Sequence, residues 1–295
     1  MMERVIQDFI TNMKDVKRKS ENTCASYAND LGKFCNYLQE QGVDDFSQVT
    51  TSQIQDYIDG LYQKGFKATT LCRNIASIKA FYHYLVKHHI VSENVADAIV
   101  NPKIEKSAPM ILTVGEIDRL LQQPAGDSPK EIRDKAMLEI LYATGIRVSE
   151  LITLKVDDVN LKISQLRCKN GNKTRSIPFG QKARKSVIKY LQIVRQEMVQ
   201  DDSEATLFVN CSGTAMSRQG FWKLIKEYAG RAGIDKEITP QTLRHSFAAH
   251  LLNNGADPKS VQEMMGYAAI SSTQVYVEMG ENTMRTSYEK AHPRH

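Results

Sequence analysis

The sequence predicts a mainly α-helical protein with a small β-hairpin, an α+β fold in which an N-terminal helical bundle precedes a mixed α/β domain. Three observations lead there. From Val5 to about Ile99, apolar residues recur at helical spacing between short polar breaks. Residues 101–112, NPKIEKSAPMIL, hold two prolines and no periodicity, as an extended linker would. Further on, ISQLRCKNGNKTRSIP sets Asn170-Gly171, a type I′ turn signal, between two short strand-like runs. The expected division is a bundle over residues 1–102, a linker over 103–112 and a second domain over 113–295.

Composition is compatible with this. A chain of 295 residues can build two cores, and 41% hydrophobic with 25% charged residues is ordinary for a soluble protein. No run approaches the roughly 18 apolar residues of a membrane span, and the opening MMERVIQDFI lacks the basic-then-apolar order of a signal peptide, so a cytoplasmic protein is expected. Cys24, Cys35, Cys72, Cys168 and Cys211 stand singly, which argues against a disulfide framework or a zinc site and for buried, reduced thiols. The net charge of +5 is weak support for a nucleic-acid partner. Residues 1–108 carry 13 Lys+Arg against 13 Asp+Glu, so the whole excess lies after them.

In the bundle, Val5, Ile6, Phe9, Ile10 and Met13 mark a first helix, and Tyr27, Leu31, Phe34 and Leu38 a second entered from Ser20 to Thr23. Thr50 with Gln53 opens a third, carrying Ile54, Tyr57, Ile58 and Leu61. Thr69 opens a fourth with Leu71, Ile75, Ile78, Tyr82 and Leu85. Such a bundle serves a protein partner as readily as DNA. Lys67, Thr69, Arg73 and Lys79 gather along the fourth helix, where they either meet phosphates or form a solvated face.

In the second domain, Thr113 to Glu116 reads as a capping box, and Ser128 with Glu131 opens a helix that stops at Gly145. Arg147 follows at once, with Ser149 and Glu150 restarting a helix. An arginine between two helix ends is fixed by backbone on both sides, as an electrostatic catalyst must be; a structural ion pair with Glu150 is the alternative. In the hairpin, a two-residue loop pairs Lys169 with Asn172 and Cys168 with Lys173, so the two lysines leave opposite faces and one of them can serve a single phosphate. A helix with Val187, Leu191 and Val194, a strand at Leu207 to Val209, and a helix from Ser217 through Phe221, Leu224 and Ile225 complete the approach to the most informative stretch.

That stretch runs from Thr239 to Tyr276. Thr239-Pro240 starts a helix that Gly255 stops, and Asp257-Pro258 starts another that Gly266 stops. Ser271 with Gln274 resembles a further capping box, which sets Tyr276 in the first turns of a third helix. Gln241, Arg244 and His245, at i, i+3 and i+4, share one helix face. Guanidinium binds phosphate oxygens in a fork and a phenolate can attack phosphorus, so Arg244 with Tyr267 and Tyr276 suggests a phosphodiester site. A solvated arginine beside two packed tyrosines is the bland alternative.

ATGIRVSEL, LRHSFAAHLLNNGAD and VQEMMGYAAISSTQVY resemble the signature segments of tyrosine recombinases, most closely the Xer type, and the resemblance covers nearly the whole chain. It implies a core-binding helical domain and a catalytic domain that together form a C-shaped clamp on duplex DNA, acting as a homotetramer, or a heterotetramer with a related recombinase, on two DNA sites. It implies Tyr276 as the nucleophile of a 3′-phosphotyrosine intermediate, Arg147 and Arg244 as the phosphate clamp, and a hairpin lysine, Lys169 in preference to Lys173, as general acid. Lys67, Thr69, Arg73, Lys79, Lys173 and Arg175 are then expected at DNA, and the segment after Tyr276 in a neighbouring subunit. No metal and no nucleotide cofactor is expected, in keeping with a sequence that has no P-loop and no carboxylate cluster at metal spacing.

Three positions depart from the family pattern. Gln241 stands where histidine is usual, and Tyr267 where histidine or tryptophan is. KNGNK replaces GKGNK, with Asn170 at the lysine position of an ungapped match. His245, one turn from Gln241, is a possible substitute for the first. Chromosome dimer resolution is the expected role. Integration or excision of a mobile element, or a DNA-binding homologue with impaired chemistry, remain as alternatives; an extra N-terminal arm-binding domain is not expected, since the bundle begins within a few residues of Met1.

Overall fold

The computed structural model describes residues 2–104, 108–170, 173–201, 203–267 and 276, with the backbone alone at 170 and 173. The chain divides into two compact units, residues 1–107 and 108–295.

The first unit is built from α1 (Met2–Asp15), α2 (Glu21–Glu40), α3 (Thr51–Gln63) and α4 (Ala68–Lys87). Ser20 caps α2 by accepting from the Thr23 N–H, and Thr50 with Gln53 forms a reciprocal capping box on α3. The fourth helix starts before Thr69: its N-cap is Lys67, whose carbonyl takes the Thr70 and Leu71 N–H groups without any side-chain cap. Phe9, Leu31, Phe34, Leu38, Ile75, Phe81, Tyr82 and Leu85 are fully buried and form the core.

Of the expected DNA contacts here, Lys67 and Thr69 are exposed. Arg73 instead pairs at 2.9 Å with the buried Asp30, which also accepts from the Ser77 hydroxyl, and so ties α4 to α2. The Lys79 ammonium donates to the Asp97 carbonyl at 3.1 Å.

The second unit begins with α5 (Val114–Gln122), under a Thr113–Glu116 capping box, and α6 (Pro129–Thr144), under Ser128. A short α7 (Val148–Thr153) follows, then a three-stranded antiparallel sheet of β1 (Val159–Asn160), β2 (Gln165–Asn170) and β3 (Lys173–Pro178) in the order β1-β2-β3. Next come α8 (Gln181–Lys189), a π-helical turn over Tyr190–Val194, α9 (Arg195–Met198), α10 (Arg218–Arg231), α11 (Pro240–Asn253) and α12 (Pro258–Met265). Thr239 and Asp257 cap the last two, each followed by proline at the first helical position.

Three expectations need correction. The hairpin register is displaced by two residues along β3: Lys169 pairs with Thr174 and Cys168 with Arg175, and the closing rung is Asn170 with Lys173. This register sets buried Leu166 opposite buried Ile177, an apolar pairing that the expected one would have broken by bringing Arg175 against Leu166. Leu207 to Val209 is not a strand. These residues are buried, but their backbone joins separate segments, Leu207 N–H to Leu154 and Met216 N–H to the Phe208 carbonyl, with single bridges at Thr206 and Val209. Cys24, Cys35 and Cys168 are buried thiols, but Cys211 is exposed. Among the described residues, no helix is long and apolar enough to cross a membrane. The Ser271–Gln274 cap and the tail after Tyr276 lie outside the described residues.

A buried polar knot fixes α6 and α10 together. Arg133 and Asp134, 3% and 0% exposed, form an ion pair at 2.6 Å; Tyr228 donates to the other carboxylate oxygen at 3.0 Å, and Arg133 reaches the Val209 carbonyl. Removing one charge from such a pair strands the other, so Asp134→Ala should destabilise the protein by about 3–5 kcal/mol. The double change Arg133→Met with Asp134→Leu should recover most of that loss, read as urea midpoints across the double-mutant cycle.

Candidate active site

The site forms where the end of α6, the start of α7, the inner face of the hairpin, α11 and the end of α12 meet. Two glycines make the approach possible. Gly145 closes α6 in the left-handed region, φ 59°, and a Cβ there would lie 2.2 Å from the Phe247 ring. Gly266 closes α12 at φ 63°, and a Cβ there would lie 2.9 Å from the Arg175 guanidinium. Each turn presents backbone carbonyls to an arginine.

Arg147 is the N-cap of α7. Its own N–H donates to Glu150 Oε2 at 2.7 Å, its Nη1 meets Glu150 Oε1 at 3.3 Å, and its Nη2 donates to the Gly266 carbonyl at 2.9 Å. Arg244, 2% exposed on α11, donates Nη1 to the Gly145 carbonyl and Nη2 to the Met265 carbonyl. A guanidinium has five N–H donors. Bonds to two partners therefore position each group without exhausting it, and the ion pair of Arg147 with Glu150 still leaves donors over.

Arg175, expected at DNA, turns inward instead. It forks onto both oxygens of Glu150 at 2.7 and 2.8 Å and donates Nε to the Met264 carbonyl at 2.9 Å. Strand alternation puts Arg175 on the buried face with Leu166 and Cys168, and the observed register sets it opposite Cys168, with Glu150 and the Met264 carbonyl as its partners. Three arginines thus take the consecutive carbonyls of Met264, Met265 and Gly266.

The tyrosines complete the cluster. The Tyr267 ring lies under the Arg244 guanidinium at 4.9 Å, and its hydroxyl is 3.4 Å from that of Tyr276. Tyr276 is buried, 3% exposed, and its hydroxyl is hydrogen-bonded to His245 Nδ1. Burial and Tyr267 push the Tyr276 hydroxyl well above an ordinary phenol, with the Arg244 charge pulling the other way. Burial, with Arg147 adding to it, lowers Arg244, which Tyr267 opposes.

Of the six candidate site residues, the fold brings four together: Arg147, Arg244, Tyr267 and Tyr276. Gln241 is exposed at the start of α11, and no hydrogen bond joins it to the cluster among the described residues. Lys169 is exposed on the outer face of β2, opposite to Cys168 and Arg175; the Lys173 side chain lies outside the described residues. Among the described residues no group of three or more His, Cys, Asp and Glu gathers as metal ligands would.

Two arginines and a tyrosine from distant parts of the chain are thus drawn to one point. Residues 111–282 match the phage integrase family, and residues 6–89 match the N-terminal SAM-like domain of phage integrases. The chain belongs to the phage integrase family. It is 41% identical to the tyrosine recombinase XerD of Halalkalibacterium halodurans, over 98% of this chain and 97% of that one. It is 38% identical to the tyrosine recombinase XerC of Herpetosiphon aurantiacus, over 98% and 95%. Its fold is that of the XerH site-specific recombinase, solved bound to palindromic difH in a post-cleavage complex, with a TM-score of 0.76 at 20% identity, over 96% of this chain and 83% of that one. The protein is a site-specific tyrosine recombinase of the Xer kind, and the mainly helical fold with a small antiparallel sheet is the family's.

Sequence reasoning had picked Arg147, Arg244, Tyr267 and Tyr276 but missed what holds them. Gly266 was legible as a helix stop, not as the turn that turns three carbonyls toward guanidinium groups. Glu150 is the counter-charge to two arginines. Burial raises its pKa, but the Arg175 fork, the Arg147 N–H and both charges outweigh that and hold it below its ordinary 4.5. A carboxylate depressed in the folded state contributes stability above its unfolded value, lost as pH falls through the folded one. Glu150→Gln should therefore lower stability at pH 7 by about 2 kcal/mol and flatten the fall in urea midpoint below pH 4.5.

Proposed function

We propose that the recombinase cleaves one strand of duplex DNA at a time with Tyr276, holds the break as a 3′-phosphotyrosine ester, and rejoins it to a new partner strand. The observation that supports this most directly is the convergence of Tyr276, Arg147 and Arg244. The phenol oxygen attacks phosphorus while charge accumulates on the nonbridging oxygens, where two preorganised guanidinium groups act. The leaving 5′ oxygen takes a proton from the hairpin, whose tip carries Lys169 and Lys173. The ester conserves the bond energy, so the reaction needs neither metal nor nucleotide.

In this reading residues 1–102 form the core-binding domain, with Lys67 and Thr69 at phosphates and Arg73 and Lys79 braced beside them. Residues 103–112 are the linker and 113–295 the catalytic domain. Four subunits, alike or paired with a related recombinase, act on two duplexes, with the tail after Tyr276 joining neighbours. The similarity to XerD and XerC favours chromosome dimer resolution in the cytoplasm over mobile-element integration.

A DNA-binding homologue without chemistry is the second reading. It is favoured by Gln241 and Lys169 both standing exposed. One experiment separates the two. Duplexes recovered by binding from a randomised pool are nicked beside the point of attack and incubated with the protein, and covalent adduct is read on a denaturing gel. The wild type should accumulate adduct, Tyr276→Phe should give none while binding the same duplex, and Arg147→Lys and Arg244→Lys should each slow adduct formation by about 10² to 10³. Binding without adduct in the wild type selects the second reading.

A further inference from the structure

The proton on Tyr276 has to go somewhere, and the reading of Tyr276 as nucleophile leaves that open. Gln241 cannot take it, because an amide neither gains nor loses a proton near neutral pH. Among the described residues, the one base in contact with the Tyr276 oxygen is His245 through Nδ1; the other contact, Tyr267 at 3.4 Å, is itself a phenol. His245 follows Arg244 on α11, so the bond that seats Arg244 on the Gly145 carbonyl also fixes the neighbouring imidazole.

We propose that His245 is the general base of strand cleavage, and the general acid of rejoining. Resting on the nucleophile assignment above, the step balances as follows. The Tyr276 oxygen bonds to phosphorus, its proton passes to His245 Nδ1, the bond from phosphorus to the 5′ oxygen breaks, and that oxygen is protonated from the hairpin side. In rejoining, a 5′ hydroxyl attacks phosphorus, the bond to Tyr276 breaks, and His245 returns its proton to the phenolate. The role requires a neutral imidazole with its hydrogen on Nε2 and a lone pair on Nδ1.

The surroundings suit that form. Burial and the Arg244 charge lower the His245 pKa, which keeps the ring neutral and accepting at pH 7. The titratable and charged groups that face the pair among the described residues are Arg244 on the same helix, Tyr267 after α12, and Arg147, whose charge acts on Arg244. The first disfavours imidazolium before reaction, and the last adds to the positive charge around it. Once phosphate is bound between them its negative charge offsets both, so a proton can be received at the moment of attack.

The test uses the full chain and the nicked duplex described above. For the wild type the rate of adduct formation should rise with pH along a limb centred below the ordinary 6.5 of histidine. His245→Gln, which keeps a hydrogen-bonding side chain, should lose that limb and fall by about 10²-fold or more, and imidazole added to His245→Ala should restore part of the rate. A duplex whose 5′ bridging oxygen is sulfur needs no acid for departure; it should speed hairpin-lysine variants and leave the His245→Gln defect in place. Without DNA, the ring nitrogen resonances of His245 should report the Nε2–H form, with Nδ1 changing in Tyr276→Phe. A wild-type rate and pH limb in His245→Gln, rescue of that variant by the sulfur substrate, or an Nδ1–H ring in the free protein would each overturn the proposal. Absence of adduct from the wild type would instead remove the nucleophile assignment on which it stands.

Discussion

Three consecutive backbone carbonyls at the end of α12 hold the site together. The last turn of any helix leaves carbonyls without partners and carries a partial negative charge. Here that end takes Arg175 at Met264, Arg244 at Met265 and Arg147 at Gly266. Three guanidinium groups so close repel one another, and the structure offsets this with the helix end and with Glu150, which binds two of them. The left-handed turn at Gly266 is what allows adjacent carbonyls to meet arginines from three different elements, and it sends the chain on into Tyr267. The arginine cluster and Tyr267 therefore share one anchor.

The same arrangement explains which residues sequence could name. Caps at Ser20, Thr50, Thr113, Ser128, Thr239 and Asp257 depend on atoms three residues apart, so their patterns are legible and the helices begin where they say. Lys67 escaped because its cap uses backbone alone. The hairpin register escaped because the turn residues permitted two alignments, and the choice between them lies in the match of Leu166 with Ile177 across the sheet. Arg175 was misplaced for a separate reason: either alignment sets it on the inner face, but its partner, Glu150, lies 25 residues away and no local pattern names it. Arg147, Arg244 and Tyr276 were legible through family resemblance, which identifies positions but says nothing of the carbonyls that orient them.

Tyr267 shows what a substitution inside this frame can preserve. Where the family has histidine or tryptophan, the phenol ring keeps an aromatic face under Arg244 and adds a hydroxyl beside Tyr276. Its position as a platform is retained. The ring nitrogen is not: a phenol donates and accepts through one oxygen, where imidazole offers two nitrogens.

That loss bears on how the chemistry is distributed. With Gln241 an amide and Tyr267 a phenol, neither position carries an imidazole, yet the proposed reaction transfers one proton from Tyr276 and one to the leaving oxygen. These transfers occur on opposite sides of phosphorus, because attack and departure are in line, so no single side chain can perform both in one step. The hairpin side can serve departure. The attack side is walled by Arg244, Tyr267 and His245, of which one is a permanent cation and one a phenol. By elimination among groups on the correct side of the phosphorus atom, the imidazole next to the clamp arginine is where the proton from Tyr276 can be received.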